Sequence, residues 1–363
     1  MDDQHMRHAL ALARRGLGST WPNPAVGCVL VKDGVVLARG WTQPGGRPHA
    51  EAMALAAAGP AARGATAYVT LEPCAHTGRA LPCSNALIEA RVSRVVVAVG
   101  DPDPRVNGSG LALLRAAGIE VSLGLREAEA AEINRGFFLR VSAQRPLVTL
   151  KLATSLDGRI ATKSGDSQWI TGPQARHVVH GMRLAHDAVM VGSGTALADD
   201  PLLNVRGYGA VRQPVRVVLT RLLDLPQGGR LAQSTAEVPL WLVHGPEAEP
   251  AKRAAWQELG AKLLEVPLSQ DGHLDLRAAM AALAAEGLTR VFAEGGGQVA
   301  ASLLKADLVD DLAFFSAGVA IGSEGRPALG PLGLGVLAEA PRLRLAELRQ
   351  IGPDVLQLWR RAG

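Results

Sequence analysis

Three residues, His49, Cys74 and Cys83, constrain this chain more than any other feature of it. His49 stands in Pro48-His-Ala-Glu51, Cys74 in Glu72-Pro-Cys74, and Cys83 directly follows Pro82. One imidazole and two thiols make a ligand set for zinc. Zinc held by three protein ligands keeps its fourth position open, and a water there has its pKa lowered to roughly 7. Residues 65–71 read as a strand, and each Pro-flanked ligand opens an apolar run that reads as a helix. Two helix N-termini facing one ion favour thiolate over thiol. Glu51, two residues past the histidine, is the candidate catalytic residue. As a general acid and base it can carry protons from the attacking water to a leaving amine, which turns attack on an amidine-like ring carbon into loss of ammonia.

The zinc nucleobase deaminases carry H-x-E and P-C-x-x-C; here eight residues separate the two cysteines instead of two. A closed, structural zinc site would need a fourth protein ligand, for which Cys28 and His76 are available. Cys28 lies in the apolar run 26–31 and reads as core.

A length of 363 residues exceeds one comfortable core, so two domains are expected, 1–144 and 145–363, joined at Gln144-Arg-Pro146. Three cysteines, two of them assigned to metal, leave no disulfide pair and suit the reducing cytoplasm. Acids near the N-terminus argue against a signal peptide, and no apolar run approaches the roughly 18 residues of a membrane span. The formal charge is +4, but the arginines are dispersed and aromatic residues amount to only 4%. The excess therefore reads as solvated faces plus a few phosphate contacts, not as a nucleic-acid surface.

Along the chain, a helix at 4–16 precedes strands at 26–31 and 35–39 joined by an Asp33-Gly34 turn. Asn23, between two prolines, is either a rigid loop residue or an amide that recognises a ring. Asn23 and Arg79 are the candidate substrate contacts of the first half. Strands and helices then alternate at 94–100, 111–117, 119–123 and 126–141, the pattern of a layered α/β sheet. In the second half, strands are expected at 147–153, 188–191, 215–220, 240–244, 290–293, 312–315, 343–350 and 354–360. Helices are expected at 173–184, 251–259 and 276–286. The turn Glu294-Gly-Gly-Gly297 with a helix after it offers free backbone N–H groups at close approach, as a nucleotide or sugar phosphate requires and a plain tight turn does not.

Over essentially its whole length the chain resembles the bifunctional deaminase–reductases of riboflavin biosynthesis. The resemblance rests on Pro22-Asn-Pro24, Pro48-His-Ala-Glu51, Thr70-Leu-Glu-Pro-Cys74 and Pro82-Cys83 in the first half. In the second it rests on Lys151-Leu-Ala-Thr-Ser-Leu-Asp-Gly-Arg159, Ser167-Gln-Trp-Ile-Thr171, Leu197-Ala-Asp-Asp-Pro201 and Glu294-Gly-Gly296. The long gap between the cysteines is that family's own.

The resemblance implies an N-terminal cytidine-deaminase-like α/β/α layer and a C-terminal dihydrofolate-reductase-like α/β domain using NADPH. The implied substrate is a small phosphorylated pyrimidine, a diaminopyrimidinone bearing a phosphoribosylamino group, deaminated first and then reduced at the ribosyl carbon. Cofactor contacts would fall on Ala153, Trp169, Thr195 and Asp199, and along Gly296, Gly297, Gln298, Val299, Ala300, Ala301 and Ser302. Substrate contacts would fall on Ser167, Arg183, Leu203, Arg206 and Glu294. Arg183 and Arg206 each have the guanidinium fork that holds a phosphate. Self-association into a homo-oligomer is compatible with the sequence, and neither nucleic acid nor membrane is an expected partner. Ala75, where many relatives have Ser, and Thr220-Arg221, where an acid is common, depart from the pattern.

Overall fold

Met6, Leu10 and Ala13 recur on one side of the first helix, α1 (Asp2–Arg14), and all three are fully buried. The computed structural model describes residues 1–75, 81–104 and 106–362, which fall into two units, Met1–Gln144 and Arg145–Gly363. In the first unit, β1 (Gly27–Lys32) and β2 (Val35–Trp41) form a hairpin. Its turn residues Asp33 and Gly34 have φ of +50° and +77°, the left-handed pair that a two-residue hairpin loop needs.

After α2 (Ala50–Ala58) come β3 (Thr66–Val69), α3 (Cys83–Glu89), β4 (Arg94–Val97), α4 (Ser109–Ala116), β5 (Glu120–Leu123) and α5 (Glu127–Ala143). The sheet order is β2-β1-β3-β4-β5, with β3, β4 and β5 parallel. Two glycines fix the layers. A Cβ on Gly27 would lie 1.9 Å from the Ala9 carbonyl oxygen of α1, and one on Gly40 would lie 2.1 Å from the Ala50 carbonyl oxygen of α2. Cys28 pairs with Gly40 and shares its face, whereas Gly27 points the other way. Helices α1 and α2 therefore cover opposite faces, giving α/β/α layers, and Cys28 lies fully buried beneath α2.

The second unit opens with β6 (Leu147–Thr154), β7 (Arg159–Ala161), α6 (Pro173–Leu184), β8 (Ala188–Gly192) and α7 (Ser193–Asp199). It continues through β9 (Val215–Leu219), α8 (Arg230–Gln233), β10 (Leu240–His244), α9 (Pro250–Glu258), β11 (Lys262–Glu265) and α10 (Leu276–Ala285). It ends with β12 (Arg290–Ala293), α11 (Gly297–Lys305), β13 (Asp311–Ser316), β14 (Arg326–Pro327), β15 (Leu343–Ile351) and β16 (Asp354–Arg361). The main sheet runs β11-β10-β9-β8-β12-β6-β13-β16-β15, parallel from β11 to β13 and antiparallel at β16 and β15. Every residue of β8, β9 and β10 is buried, as expected of mainly apolar parallel strands covered on both faces; the two polar exceptions, Arg216 and His244, are hydrogen-bonded to the Ser234 hydroxyl, the Ser234 and Val238 carbonyls and the Gly245 carbonyl.

Five elements fall outside the expectations from sequence: β7, α7, α8, β11 and β14. Residues 193–199 form α7 despite their Ser and Gly content, because tertiary placement overrides weak helix propensity. The edge strand β11 is only four residues long, with both end residues exposed, so it has little hydrophobic pattern to betray it.

Connectivity locates the ligand crevice. From β8 the chain passes through α7 to β9 on one side, and from β12 it passes through α11 to β13 on the other. The sheet thus switches direction between β8 and β12, and in open α/β sheets ligands bind at the C-terminal strand ends of such a point. The opposite ends are locked structurally. The buried Asp187 carboxylate accepts from Thr289 N (2.6 Å), Thr289 Oγ1 (2.7 Å) and Arg290 N (2.9 Å), joining the starts of β8 and β12. Among the described residues no helix is long and apolar enough to cross a membrane.

Two candidate active sites

In the first unit the sequence ligands converge. His49 is the N-cap of α2, so the helix starts at Ala50 and Pro48 precedes the cap instead of occupying the first turn. Cys83 opens α3 with Pro82 as its N-cap. His49 Nδ1 lies 3.3 Å from Cys83 Sγ and 3.6 Å from Cys74 Sγ, and the three ligand atoms all lie within 4.8 Å of one another. An imidazole nitrogen and two sulfurs at this spacing fit one zinc ion. No other such cluster occurs among the described residues, so Cys28 is core and not a fourth ligand. His76 and Arg79 lie outside the described residues.

Electrostatics agree with the donor set. The Cys74 thiol is held well below its usual range, first by the Cys83 thiol hydrogen bond and then by His49, while Cys83 is pushed up because the two sulfurs share one proton. Glu51, in the first turn of α2 and 3% exposed, is pushed up to about 7 by burial and then by the charge on Cys74. A carboxyl group poised near neutrality can both accept and return a proton.

Two supporting residues, Ser84 and the motif residue Glu72, have no role that the sequence assigns. Ser84 donates to the Cys74 carbonyl through its backbone N (3.1 Å) and through Oγ (3.0 Å), fixing one ligand against the helix that bears the other. The buried Glu72 carboxylate accepts from Gly108 N and Gly110 N, both at 3.0 Å, and at 3.4 Å from Asp101 N and Leu111 N. Asn23 spends its Nδ2 on the Gly46 carbonyl (2.9 Å), which is the rigid-loop role, and its Oδ1 makes no hydrogen bond among the described residues.

In the second unit Thr195, Glu294 and the glycine-rich turn meet at the switch point. Gly296 is the N-cap of α11, and its N–H donates to Thr195 Oγ1 of α7 at 3.1 Å. The backbone of Gly296, Gly297 and Gln298 therefore offers a helix N-terminus there, which fits a dinucleotide phosphate. Ala300 and Ala301 are buried at 0% and 2% exposure and Val299 packs on Gly192 and Gly295, so these three serve packing through their side chains; Ser302 is exposed. Ala153 is the penultimate residue of β6, and Asp199 is the exposed last residue of α7. Trp169 is 66% exposed with the Arg176 guanidinium 4.5 Å above its ring, so it is not a core residue.

Arg183 is paired within the chain. Its fork grips Glu294, with Nε donating to Oε1 (2.5 Å) and Nη2 to Oε2 (2.9 Å), and Nη1 donates to the Asn204 carbonyl (2.8 Å). The pair occupies the bidentate edge of the guanidinium, so a phosphate would meet only its remaining N–H groups. Burial would raise the Glu294 carboxyl, but Arg183 outweighs it and holds the group below its usual range. Arg206 is exposed, and its guanidinium has no partner among the described residues. Leu203 is 3% exposed, which leaves its backbone for any contact, and Ser167 is half-buried. Lys151 on β6, the first residue of the Lys151–Arg159 motif but without a role assigned from sequence, lies in the field of Glu294, Arg183 and Asp199. Burial lowers its pKa first, with the Glu294 charge opposing.

A chain built this way is a hydrolytic, zinc-type deaminase and a dinucleotide-dependent reductase in one polypeptide. Residues 1–99 match the cytidine and deoxycytidylate deaminase zinc-binding region, and residues 146–357 match the RibD C-terminal domain. The riboflavin biosynthesis protein RibD of Escherichia coli K12 is 43% identical over 98% of both chains, and that of Aquifex aeolicus is 39% identical over 99% of both. Acinetobacter baumannii RibD superposes with a TM-score of 0.90 at 38% identity, covering 100% of this chain and 99% of that one. The Thermotoga maritima diaminohydroxyphosphoribosylaminopyrimidine deaminase/5-amino-6-(5-phosphoribosylamino)uracil reductase superposes at 0.87 with 34% identity, covering 100% and 99%. The chain belongs to the RibD family: it is a bifunctional deaminase and reductase of riboflavin biosynthesis, zinc-binding in its first half and NADPH-dependent in its second.

Proposed function

We propose that the first half deaminates a diaminopyrimidinone bearing a phosphoribosylamino group and that the second reduces the ribosyl carbon of the product to the ribityl phosphate, both in the cytoplasm. The observation that carries the first step is the convergence of His49, Cys74 and Cys83 beside the buried Glu51. His49, Cys74 and Cys83 hold the zinc, which when bound supplies a Lewis acid and lowers the pKa of water to about 7. Glu51 takes a proton from the attacking water and returns it to the departing nitrogen, so that ammonia leaves. Asn23 and Arg79 bind the ring and its substituent.

In the second half the backbone of Gly296, Gly297 and Gln298, together with Ala153, Trp169, Thr195, Asp199 and Ser302, holds NADPH, which when bound supplies the hydride. The Arg183–Glu294 pair and Lys151 order the substrate's polar groups from the strand ends, with Ser167 and the backbone at Leu203 alongside. Arg206 carries the free guanidinium for the phosphate.

The test is removal of zinc. A chelator should abolish ammonia release from the pyrimidine while NADPH oxidation on the deaminated intermediate continues, and added zinc should restore the first activity. Ammonia release from metal-free protein would overturn the assignment.

A further inference from the structure

The turn after β6 and the long segment after β13 are tied together by one carboxylate. Asp157 Oδ1 accepts from Ile321 N (3.1 Å) and Oδ2 from Gly322 N (2.7 Å), while Ser155 Oγ donates to Oδ1 at 2.6 Å and orients it. Beside this bond Leu156 N donates to the Val319 carbonyl (2.7 Å), and Ala328 N donates to the Gly158 carbonyl (3.1 Å).

Packing does not order the segment Asp157 holds. Residues 318–320 and 323–324 are exposed, and glycines stand at 318, 322 and 325, so the free chain would lose much entropy on being fixed. Hydrogen bonds must hold it, and two of them end on Asp157. The Ser155 hydroxyl, then the Ile321 and Gly322 amides, hold this carboxyl far below its usual range, as expected of an acceptor of fixed donors.

The segment leads on to the cofactor end of the sheet. Arg326 pairs with Ala161, and Gly330 N donates to the Gly297 carbonyl at 2.8 Å. A Cβ on Gly297 would meet the Pro327 oxygen at 3.0 Å. The strip 326–330 therefore lies against the first turn of α11, while Ala317 N, at the other end, bonds the Thr154 carbonyl beside Ala153 (2.9 Å).

We propose that Asp157 is a positioning residue of the reductase half: it latches the 155–159 turn to the 317–322 segment and so sets the wall that meets NADPH between the end of β6 and the N-terminus of α11. This rests on reading that crevice as the cofactor site.

Asp157→Ala and Asp157→Asn in the full chain test it. Asp157→Ala should weaken NADPH binding, followed by nicotinamide fluorescence, by about tenfold, because a pre-ordered surface becomes one that must be ordered on binding. KM for NADPH should rise more than kcat falls, and amides at 319–322 should exchange hydrogen faster. Asp157→Asn keeps one acceptor oxygen and should fall between Asp157→Ala and the parent. Ammonia release should be unchanged, and amides of β8, β9 and β10 should exchange as in the parent, which shows that the second unit remains folded. Parent-like NADPH affinity in Asp157→Ala, or weakened affinity with unchanged exchange at 321–322, would overturn the latch. Failure of the parent protein itself to bind NADPH would overturn the cofactor reading and the latch with it.

Discussion

The two catalytic centres are built on opposite plans. In the first unit every zinc ligand and the proton carrier lie from His49 to Cys83, on two helix starts and the loop that follows β3. In the second unit the crevice draws on Lys151, Arg183, Thr195, Asn204, Glu294 and Gly296, spread over almost the whole unit and joined only through sheet topology. A centre concentrated in sequence depends on a few local placements. A centre assembled from strand ends depends on the register of the entire sheet.

Glu51→Gln gives the sharpest separation. Deamination should fall by about a thousandfold or more, the scale of a lost general acid and base, with zinc content intact and reduction of the deaminated intermediate unchanged. Loss of both activities together would break the comparison.

Gly40→Val comes next. Its side chain would collide with the Ala50 carbonyl and push α2, with His49 and Glu51, off the sheet. Overpacking of this kind costs about 1–3 kcal/mol. Chemical denaturation should show an earlier loss of the first unit, with weaker zinc retention.

Arg206→Ala should have the smallest effect, raising the substrate KM of the reductase about tenfold with kcat little changed, as expected for one charge-assisted phosphate contact. An unchanged KM would remove Arg206 from the phosphate site. A collapse of kcat would show that it acts on the reacting carbon instead.

Legibility in the sequence followed the same division. The His49, Cys74 and Cys83 set could be read directly because donor chemistry is a property of residue type and the Pro-flanked helix starts are local. The strands β8, β9 and β10 were equally plain, because parallel strands buried on both faces are predominantly apolar, and Arg216 and His244 do not mask that pattern. The internal pairing of Arg183 could not be read from the sequence, for a physical reason. A free guanidinium and a paired one look alike in sequence, and its partner Glu294 lies far along the chain. Lys151 and Glu72 stand in recognisable motifs, but their roles come from the charges and backbone N–H groups that the fold brings around them, as does the role of Ser84.

The sequence by itself determined which atoms could grip a metal, which glycines could bring a backbone close to a phosphate, and where strands and helices alternate. Each of these follows from the chemistry or periodicity of neighbouring residues. Only the tertiary structure decided that Arg183 is spent on Glu294, that β8 and β12 open a crevice between them, and that Asp157 holds a glycine-rich segment in place. Those outcomes depend on contacts between residues far apart in the chain, and chain order alone does not encode the distances that decide them.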